Sequence, residues 1–383
     1  MKNWDAIVVG AGIIGVSLAL ELNKHGLRVL VVEKGEPGRE ASWAAGGMLV
    51  DYPLETRPEL QELAAASARM YPEFVRGLED ESGLKIDLRS VGAIVLAGAE
   101  TGKNPATTQA YALPRPLAEL EPALRIPLRT DRSTNGSTPL HVYLKERCVD
   151  PRHLTGAAIA AARNRGVDFS SGDQVLAVDV ADGRACGVRT SNAQFAAGLV
   201  VNCTGAWAGQ IRVGTGASPV HAEQSSAGFR VPTRPVKGQM LCVTMPEKEL
   251  VRHVVRAPDV YLIPRSDGRM SIGATAEEAG FDKQTVPETI AKLRRAAIDL
   301  VPKLADARIL EAWAGLRPGT PDGLPILGTM STSGYFVATG HFRDGILLAP
   351  VTAKLMAQIM TGQRPPIDVS KLSADRFANQ VGA

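Results

Sequence analysis

Arg317 stands in EAWAGLRPGTPDGLPILG (Glu311–Gly328), among Gly315, Pro318, Gly319, Pro321 and Gly323, with apolar residues on both sides. A guanidinium in such a setting is costly unless an anion pairs with it. Its planar fork matches a carboxylate with two parallel N–H bonds. The glycines and prolines predict a turn here. Two partners are open: the carboxylate of a small ligand, or an internal acid such as Asp322.

A second group opens the chain. Ala6–Val9 reads as a buried strand, and Gly10, Gly12 and Gly15 follow in the pattern G-x-G-x-x-G. Helical spacing runs on to about Gly26. Arg28–Val32 is a second apolar strand with Glu33 at its end. Gly10 allows the tight turn, Gly12 lets a pyrophosphate reach the backbone, and Gly15 lets helix and strand pack closely. The helix start, through Ile13 and Ile14, offers N–H groups and partial positive charge to the phosphates. Glu33 can accept both ribose hydroxyls. An acid there favours FAD or NAD over NADP, whose extra phosphate it would repel. Together these features predict dinucleotide binding.

Two further stretches point to a flavin. GREASWAAGGML (Gly38–Leu49) is dominated by Ala41, Ser42, Ala44, Ala45, Gly46 and Gly47. It reads as a loop whose backbone lies against a flat cofactor. GYFVATGHFRDGILLAPVTAKLMAQIMTG gives a strand over Tyr335–Ala338, then Gly340, then a helix from about Gly345 to Met360. Asp344 and Gly345 can begin that helix. Its N-terminus, aimed at the pyrimidine end of a flavin, would stabilise the reduced ring.

The chain resembles the glycine oxidases of the D-amino-acid-oxidase/sarcosine-oxidase flavoprotein family. The matching stretches are IVVGAGIIG, SWAAGGML, RPVKGQML, VYLIPRSDGRMSIGAT, WAGLRPGTPDGLPILG and GHFRDGILLAP. The resemblance implies FAD held by Gly10, Gly12, Ile13, Ile14 and Gly15, with Glu33 and Lys34 on the adenosine side. It adds Ala41, Ser42, Gly46, Gly47 and Met48, then Gly205, and Val175 against the adenine. His341, Phe342, Arg343, Asp344, Gly345, Ile346 and Leu347 complete the set at the flavin end. It implies that Arg317 binds a substrate carboxylate, that Tyr261 donates to the same group, and that Arg343 holds the substrate or the flavin edge. Asp259 departs from the histidine that relatives often have two residues before this tyrosine, which puts the amine side of the pocket in question. Sarcosine oxidases attach flavin through a cysteine shortly after the arginine segment. RPGTPDGLPILG has none, so the FAD is expected to be non-covalent.

The resemblance implies oxidative deamination of glycine, small amines and D-amino acids, with hydrogen peroxide formed from oxygen, and a place in the thiazole branch of thiamine synthesis. Two alternatives stay open. One is a D-amino-acid or proline-type dehydrogenase that passes electrons to a quinone. The other is a non-enzymatic FAD-binding scaffold. A homotetramer is implied by resemblance alone.

The elements that must position these residues give an α/β chain, α+β overall. A Rossmann-like FAD-binding domain is expected from 1–85, 149–233 and 317–383. A discontinuous substrate domain, from 86–148 and 234–316, is expected on a mixed, largely antiparallel sheet. Helices are predicted over Glu59–Glu79, Val149–Arg165 and Gln284–Val301. Hairpin turns are predicted at Asp182-Gly183 and Ser266-Asp267-Gly268.

At 383 residues, with 45% hydrophobic and 22% charged side chains, the composition is that of an ordinary globular protein. A formal charge of +3, with no basic run, gives no case for nucleic acid. Cys148, Cys186, Cys203 and Cys242 form no C-x-x-C pair, and the six histidines do not cluster, so neither a metal site nor a disulfide framework is expected. The apolar stretch Ala6–Leu20 reads as a nucleotide turn, not a signal peptide, because of its three glycines. No run is long enough to span a bilayer. A cytoplasmic location is the expectation.

Overall fold

This computed structural model describes residues 3–51, 56–96, 113–125, 141–214 and 230–380. Two stretches of small and polar residues fall largely outside them: GAETGKNPATTQAYA (98–112), and the segment 214–231, whose sequence is longer than the resembled family usually has.

A six-stranded sheet runs in the order Ile326–Thr329, Tyr335–Thr339, Leu199–Asn202, Ala6–Val9, Val29–Glu33, Asp168–Ser171. All neighbours are parallel except the first pair. The unbroken apolar run of Ala6–Val9 follows from burial on both faces. Ala6 and Val8 face the helices Ile13–Lys24, Gln61–Ser82, Pro151–Asn164 and Gly345–Met360. Ile7 and Val9 face a four-stranded sheet that contains Val178 and Val188. Leu30 and Val32 share the second face with Val175.

A seven-stranded sheet runs Arg308–Gly319, Arg234–Thr244, Arg269–Gly273, Tyr261–Pro264, Val254–Arg256, Ala93–Leu96, His141–Leu144. Only Val254–Arg256 beside Ala93–Leu96 is parallel, so the sheet is mixed and largely antiparallel. The helix Pro287–Leu300 covers it, burying Leu293, Ala297 and Leu300 against Leu241, Val243, Leu262 and Ile272.

The local signals form as their chemistry requires. Asp150 caps Pro151–Asn164, its side chain accepting the Arg152 N–H at 2.9 Å. Asp182 and Gly183 both take positive φ between Val175–Ala181 and Arg184–Thr190. Two expectations change. The small-residue stretch is not a plain loop: Ala41–Ala44 is one helical turn, and Met48–Leu49 pairs with Arg147–Cys148. Arg317 is not in a turn. It lies inside the strand Arg308–Gly319, opposite Val236. Pro318 is tolerated there because this strand is the sheet's edge and needs no N–H on its free side.

Candidate active site

Three parallel strands deliver their carboxyl ends to one crevice, where open parallel sheets bind ligands. Ala6–Val9 ends at Gly10, Leu199–Asn202 at the turn through Gly205, and Tyr335–Thr339 at Gly340 and His341. The turns touch one another: Thr339 Oγ1 donates to the Gly205 carbonyl at 3.1 Å. Gly10 has φ +102°, and a Cβ there would lie 2.7 Å from the Cys203 carbonyl oxygen. A Cβ at Gly15 would lie 2.0 Å from the Gly10 oxygen, so helix and turn pack this closely only without one. Gly12 occupies the N-cap of Ile13–Lys24 and has no side chain to close the helix end. Instead, Ser42 Oγ reaches over and accepts the Ile13 N–H at 2.9 Å. This helix start, with no side chain of its own at the N-cap and a small-residue turn beside it, suits an anionic pyrophosphate.

Glu33 is 8% exposed at the end of the neighbouring strand. Its Oε2 accepts the Ala11 N–H at 2.8 Å and its Oε1 the Gly35 N–H at 3.1 Å. Each oxygen retains lone-pair capacity for a ribose hydroxyl. The Glu33 carbonyl accepts the Asp173 N–H at 2.9 Å, which leads the chain into Val175 beside the same strand end. The residues present therefore fit a dinucleotide. The Lys34 side chain lies over the turn that follows Gly205. Its Nζ sits 3.2 Å from the Trp207 ring centroid and 3.9 Å from Glu40, and burial holds its pKa below the usual lysine value.

At the other end of the crevice, the half-buried Arg317 donates from Nη1 to the Thr275 carbonyl at 2.9 Å. The alternative partner is taken: Asp322 pairs with Arg376 at 2.7 Å. Among the described residues no carboxylate pairs with Arg317. Burial lowers its pKa, the Tyr261 hydroxyl opposes that fall and Arg343 adds to it. The guanidinium lies against Gly238, where a Cβ would be 2.2 Å from Nη1. Tyr261 is packed with equal closeness: a Cβ on Gly273 would come 2.8 Å from its hydroxyl, and one on Gly46 3.7 Å. Burial pushes the phenol up against the pull of Arg317, so the hydroxyl stays protonated and can donate.

The turn after Thr339 closes the site. Phe342 has φ +47°, and its N–H donates to the Pro318 carbonyl at 3.1 Å. That bond ties the turn to the arginine strand. Arg343 is exposed, with its guanidinium 5.4 Å from the Phe342 ring centroid, and it contributes to the electrostatics of both Arg317 and Tyr261. His341 is buried, with Nε2 3.1 Å from Thr352 Oγ1, and burial pushes it down to about 3. It is neutral packing. Asp344 stands at the N-cap of Gly345–Met360, yet its carboxyl makes no capping bond. Burial pushes it up to about 6, with Arg343 opposing.

Pro350 lies inside that helix and has no N–H for the Ile346 carbonyl. Tyr71 Oη donates to that carbonyl at 2.5 Å. Ser67 Oγ donates to the Leu347 carbonyl at 2.6 Å and accepts the Val351 N–H at 3.4 Å. Two side chains from Gln61–Ser82 thus repair the helix whose first turn faces the crevice.

Three contributors were missed in the sequence. Arg265, 4% exposed, donates from Nη1 to the Val149 carbonyl at 2.9 Å and from Nη2 to the Gly46 carbonyl at 2.6 Å. It pins the Gly46-Gly47 turn beneath Tyr261. Its signal was an arginine closing an apolar strand, in LIPR. Trp313 Nε1 donates to the Ala44 carbonyl at 3.1 Å and joins the same segment to the arginine strand. The Thr275 carbonyl is a backbone acceptor and carried no signal.

The FAD dependent oxidoreductase family (DAO) matches residues 5–359. A glycine oxidase of Pseudomonas aeruginosa is 35% identical over 369 residues, covering 94% of this chain and 96% of that protein. A bifunctional protein ThiO/ThiG of Trichormus variabilis is 33% identical over 98% of this chain, which spans 56% of that longer protein. The crystal structure of glycine oxidase from Geobacillus kaustophilus superposes with a TM-score of 0.82 at 28% identity, covering 97% of this chain and 98% of that one. The nucleotide crevice, the flavin-side turn and the match along nearly the whole chain agree, and the protein belongs to the FAD dependent oxidoreductase family.

Proposed function

We propose that this FAD-dependent oxidoreductase oxidatively deaminates glycine and other small amino acids or amines. The observation that carries the reading is the half-buried Arg317, which has no carboxylate partner among the described residues and stands beside the Tyr261 hydroxyl. The relatives named glycine oxidase support the substrate class. The chemistry supplied by bound, non-covalent FAD is two-electron oxidation of the substrate C–H bond, with oxygen as the terminal acceptor and hydrogen peroxide as the product.

The chain's own work is orientation. Arg317 uses Nη1 on Thr275, stands within side-chain hydrogen-bond reach of the Tyr261 hydroxyl, and has further donors for the substrate carboxylate. Tyr261 supplies one more donor. The two together fix the plane of the carboxylate and hence which C–H bond faces the cofactor. Ile13 and Ile14 at the helix start, with Ser42, would hold the pyrophosphate, Glu33 the ribose, and the backbone of Phe342–Leu347 the flavin edge. Arg343 would meet the substrate or the ring from the solvent side.

The wider proposal divides the chain as the sequence suggested: 1–85, 149–233 and 317–383 bind FAD, while 86–148 and 234–316 shape the substrate pocket. No described helix is long and apolar enough to cross a membrane. We place the enzyme in the cytoplasm as a homo-oligomer, with supply of a thiamine precursor as one use of its product.

The test is peroxide release over an amino-acid panel with the yellow holoenzyme and Arg317→Met. Two charge-assisted bonds contribute on the order of 2–4 kcal/mol, so the variant should lose roughly one to three decades in glycine kcat/KM. Unchanged kcat/KM would overturn the reading, and so would electron transfer to a quinone without peroxide.

A further inference from the structure

Alternate residues of the strand Arg234–Thr244 face opposite ways. Val236, Gly238 and Met240 lie toward Arg317 and Tyr261. Lys237 and Gln239 point the other way and are 1% and 0% exposed. Nothing in the binding of substrate or cofactor calls for them. Yet a buried ammonium and a buried amide must be fully satisfied, or they cost stability.

Among the described residues, their side-chain hydrogen-bond partners belong to one segment, Thr275–Val286. Gln239 donates from its backbone N–H to Thr275 Oγ1 at 2.9 Å and accepts the Thr275 N–H on its carbonyl at 3.3 Å. Its Nε2 donates to Glu277 Oε1 at 2.9 Å, and its Oε1 accepts the Val286 N–H at 2.7 Å. Thr275 Oγ1 donates to the same Glu277 oxygen. Lys237 exchanges two backbone bonds with Glu277, each 2.9 Å, and its Nζ reaches Asp282 at 2.6 Å. The segment is fastened at Thr275, Glu277, Asp282 and Val286.

Thr275 is the residue of this segment that also meets the active site. Its carbonyl receives Arg317 Nη1. A guanidinium on a long stem loses orientation readily unless one of its donors is tied to a fixed acceptor. We propose that Thr275, held by Gln239 and Glu277, is a positioning residue: its carbonyl sets the plane of the Arg317 fork so that the free donors meet a substrate carboxylate. This rests on the assignment of Arg317 above.

The experiment uses holoenzyme carrying Thr275→Val, Thr275→Ser or Glu277→Ala, with Arg317→Met as the reference. Acetate, an unreactive carboxylate, is titrated against the visible flavin spectrum. Turnover is measured with glycine and with ethylamine, which has no carboxylate. Thr275→Val keeps the carbonyl but loses the hydroxyl that fastens it. Acetate Kd and glycine KM should rise roughly tenfold, as for loss of one ordinary hydrogen bond. Glycine kcat should fall as well, since the clamp also sets which C–H bond faces the cofactor, while ethylamine kcat/KM should hold, because only carboxylate placement is affected. Thr275→Ser should restore wild-type binding. Glu277→Ala, at a half-buried position, should repeat the pattern if the valine variant folds poorly.

If Arg317→Met loses acetate but Thr275→Val and Glu277→Ala bind it as the wild type does, the positioning role is overturned and Arg317 stands. If glycine and ethylamine turnover fall together, the segment is merely structural and the proposal is overturned. If Arg317→Met itself binds acetate normally, the assignment of Arg317 fails first.

Discussion

Replacing Gly238 with alanine tests the clamp without touching a charge. The added Cβ would lie 2.2 Å from Arg317 Nη1 and 2.5 Å from both Cζ and Nη2. The guanidinium must then retreat by about 1 Å to regain van der Waals contact. It can do so, because it ends a flexible side chain, and so the fold should survive. Alanine in place of a strand glycine removes a conformational entropy cost of roughly 0.5–1 kcal/mol, which should hold Tm or raise it slightly. The active site should not tolerate the shift. A displacement of about 1 Å in a positioning group can cost on the order of 100-fold in rate. Glycine kcat/KM, followed by peroxide release, should therefore fall about 30- to 100-fold, with FAD content and Tm retained. Ethylamine turnover should stay within about threefold, since it presents nothing for the fork to bind. Glycine turnover within twofold of wild type would refute the reasoning, because the guanidinium would then not be acting from the place where Gly238 admits it.

Asp344→Asn should stabilise the protein at pH 8 and leave it unchanged near pH 4. The native carboxyl is pushed up to about 6 from an ordinary 3.8, so its contribution is full below the unfolded value and is lost as pH rises through the folded one. The gain above pH 7 is at most about 3 kcal/mol, read by denaturant unfolding at both pH values, and equal gains at both would contradict the assignment. Tyr71→Phe should lower stability by about 1–3 kcal/mol, because the Ile346 carbonyl loses the donor that replaces the N–H Pro350 lacks; a Tm equal to wild type would show that water serves instead. The Arg317→Met panel completes the set.

Local chemistry made the nucleotide end legible in the sequence. Gly10, Gly12, Gly15 and Glu33 act within one strand–helix–strand unit, so spacing alone carries their meaning. Asp150, the Asp182-Gly183 turn and the helix Gly345–Met360 were legible for the same reason. Arg317 was read as a charge among apolar residues and is half-buried, but its surroundings were read as a turn. Its glycines and prolines resemble a turn, and the pairing that makes them a strand comes from Arg234–Lys237, some eighty residues earlier. Close approach is the real need there: a Cβ on Gly315 would lie 2.3 Å from the Ala44 Cβ. The Tyr71 and Ser67 bonds to the last helix span 275 and 280 residues, and no periodicity records such a pairing. Arg265 escaped because its partners are backbone oxygens, and Thr275 because it acts through its own backbone oxygen, a group that every residue carries.

The bond from the Phe342 N–H to the Pro318 carbonyl has a consequence for how this enzyme can change its substrates. It joins the turn at the flavin edge to the residue right after Arg317, and Trp313 fastens the same strand to Ala44. On the assignment proposed above, anchor and oxidant are thereby tied to each other by direct bonds. A bulkier amino acid cannot be admitted by swinging one half of the molecule away from the other. Room must come from trimming individual side chains along the wall, which makes substrate range a matter of point substitutions.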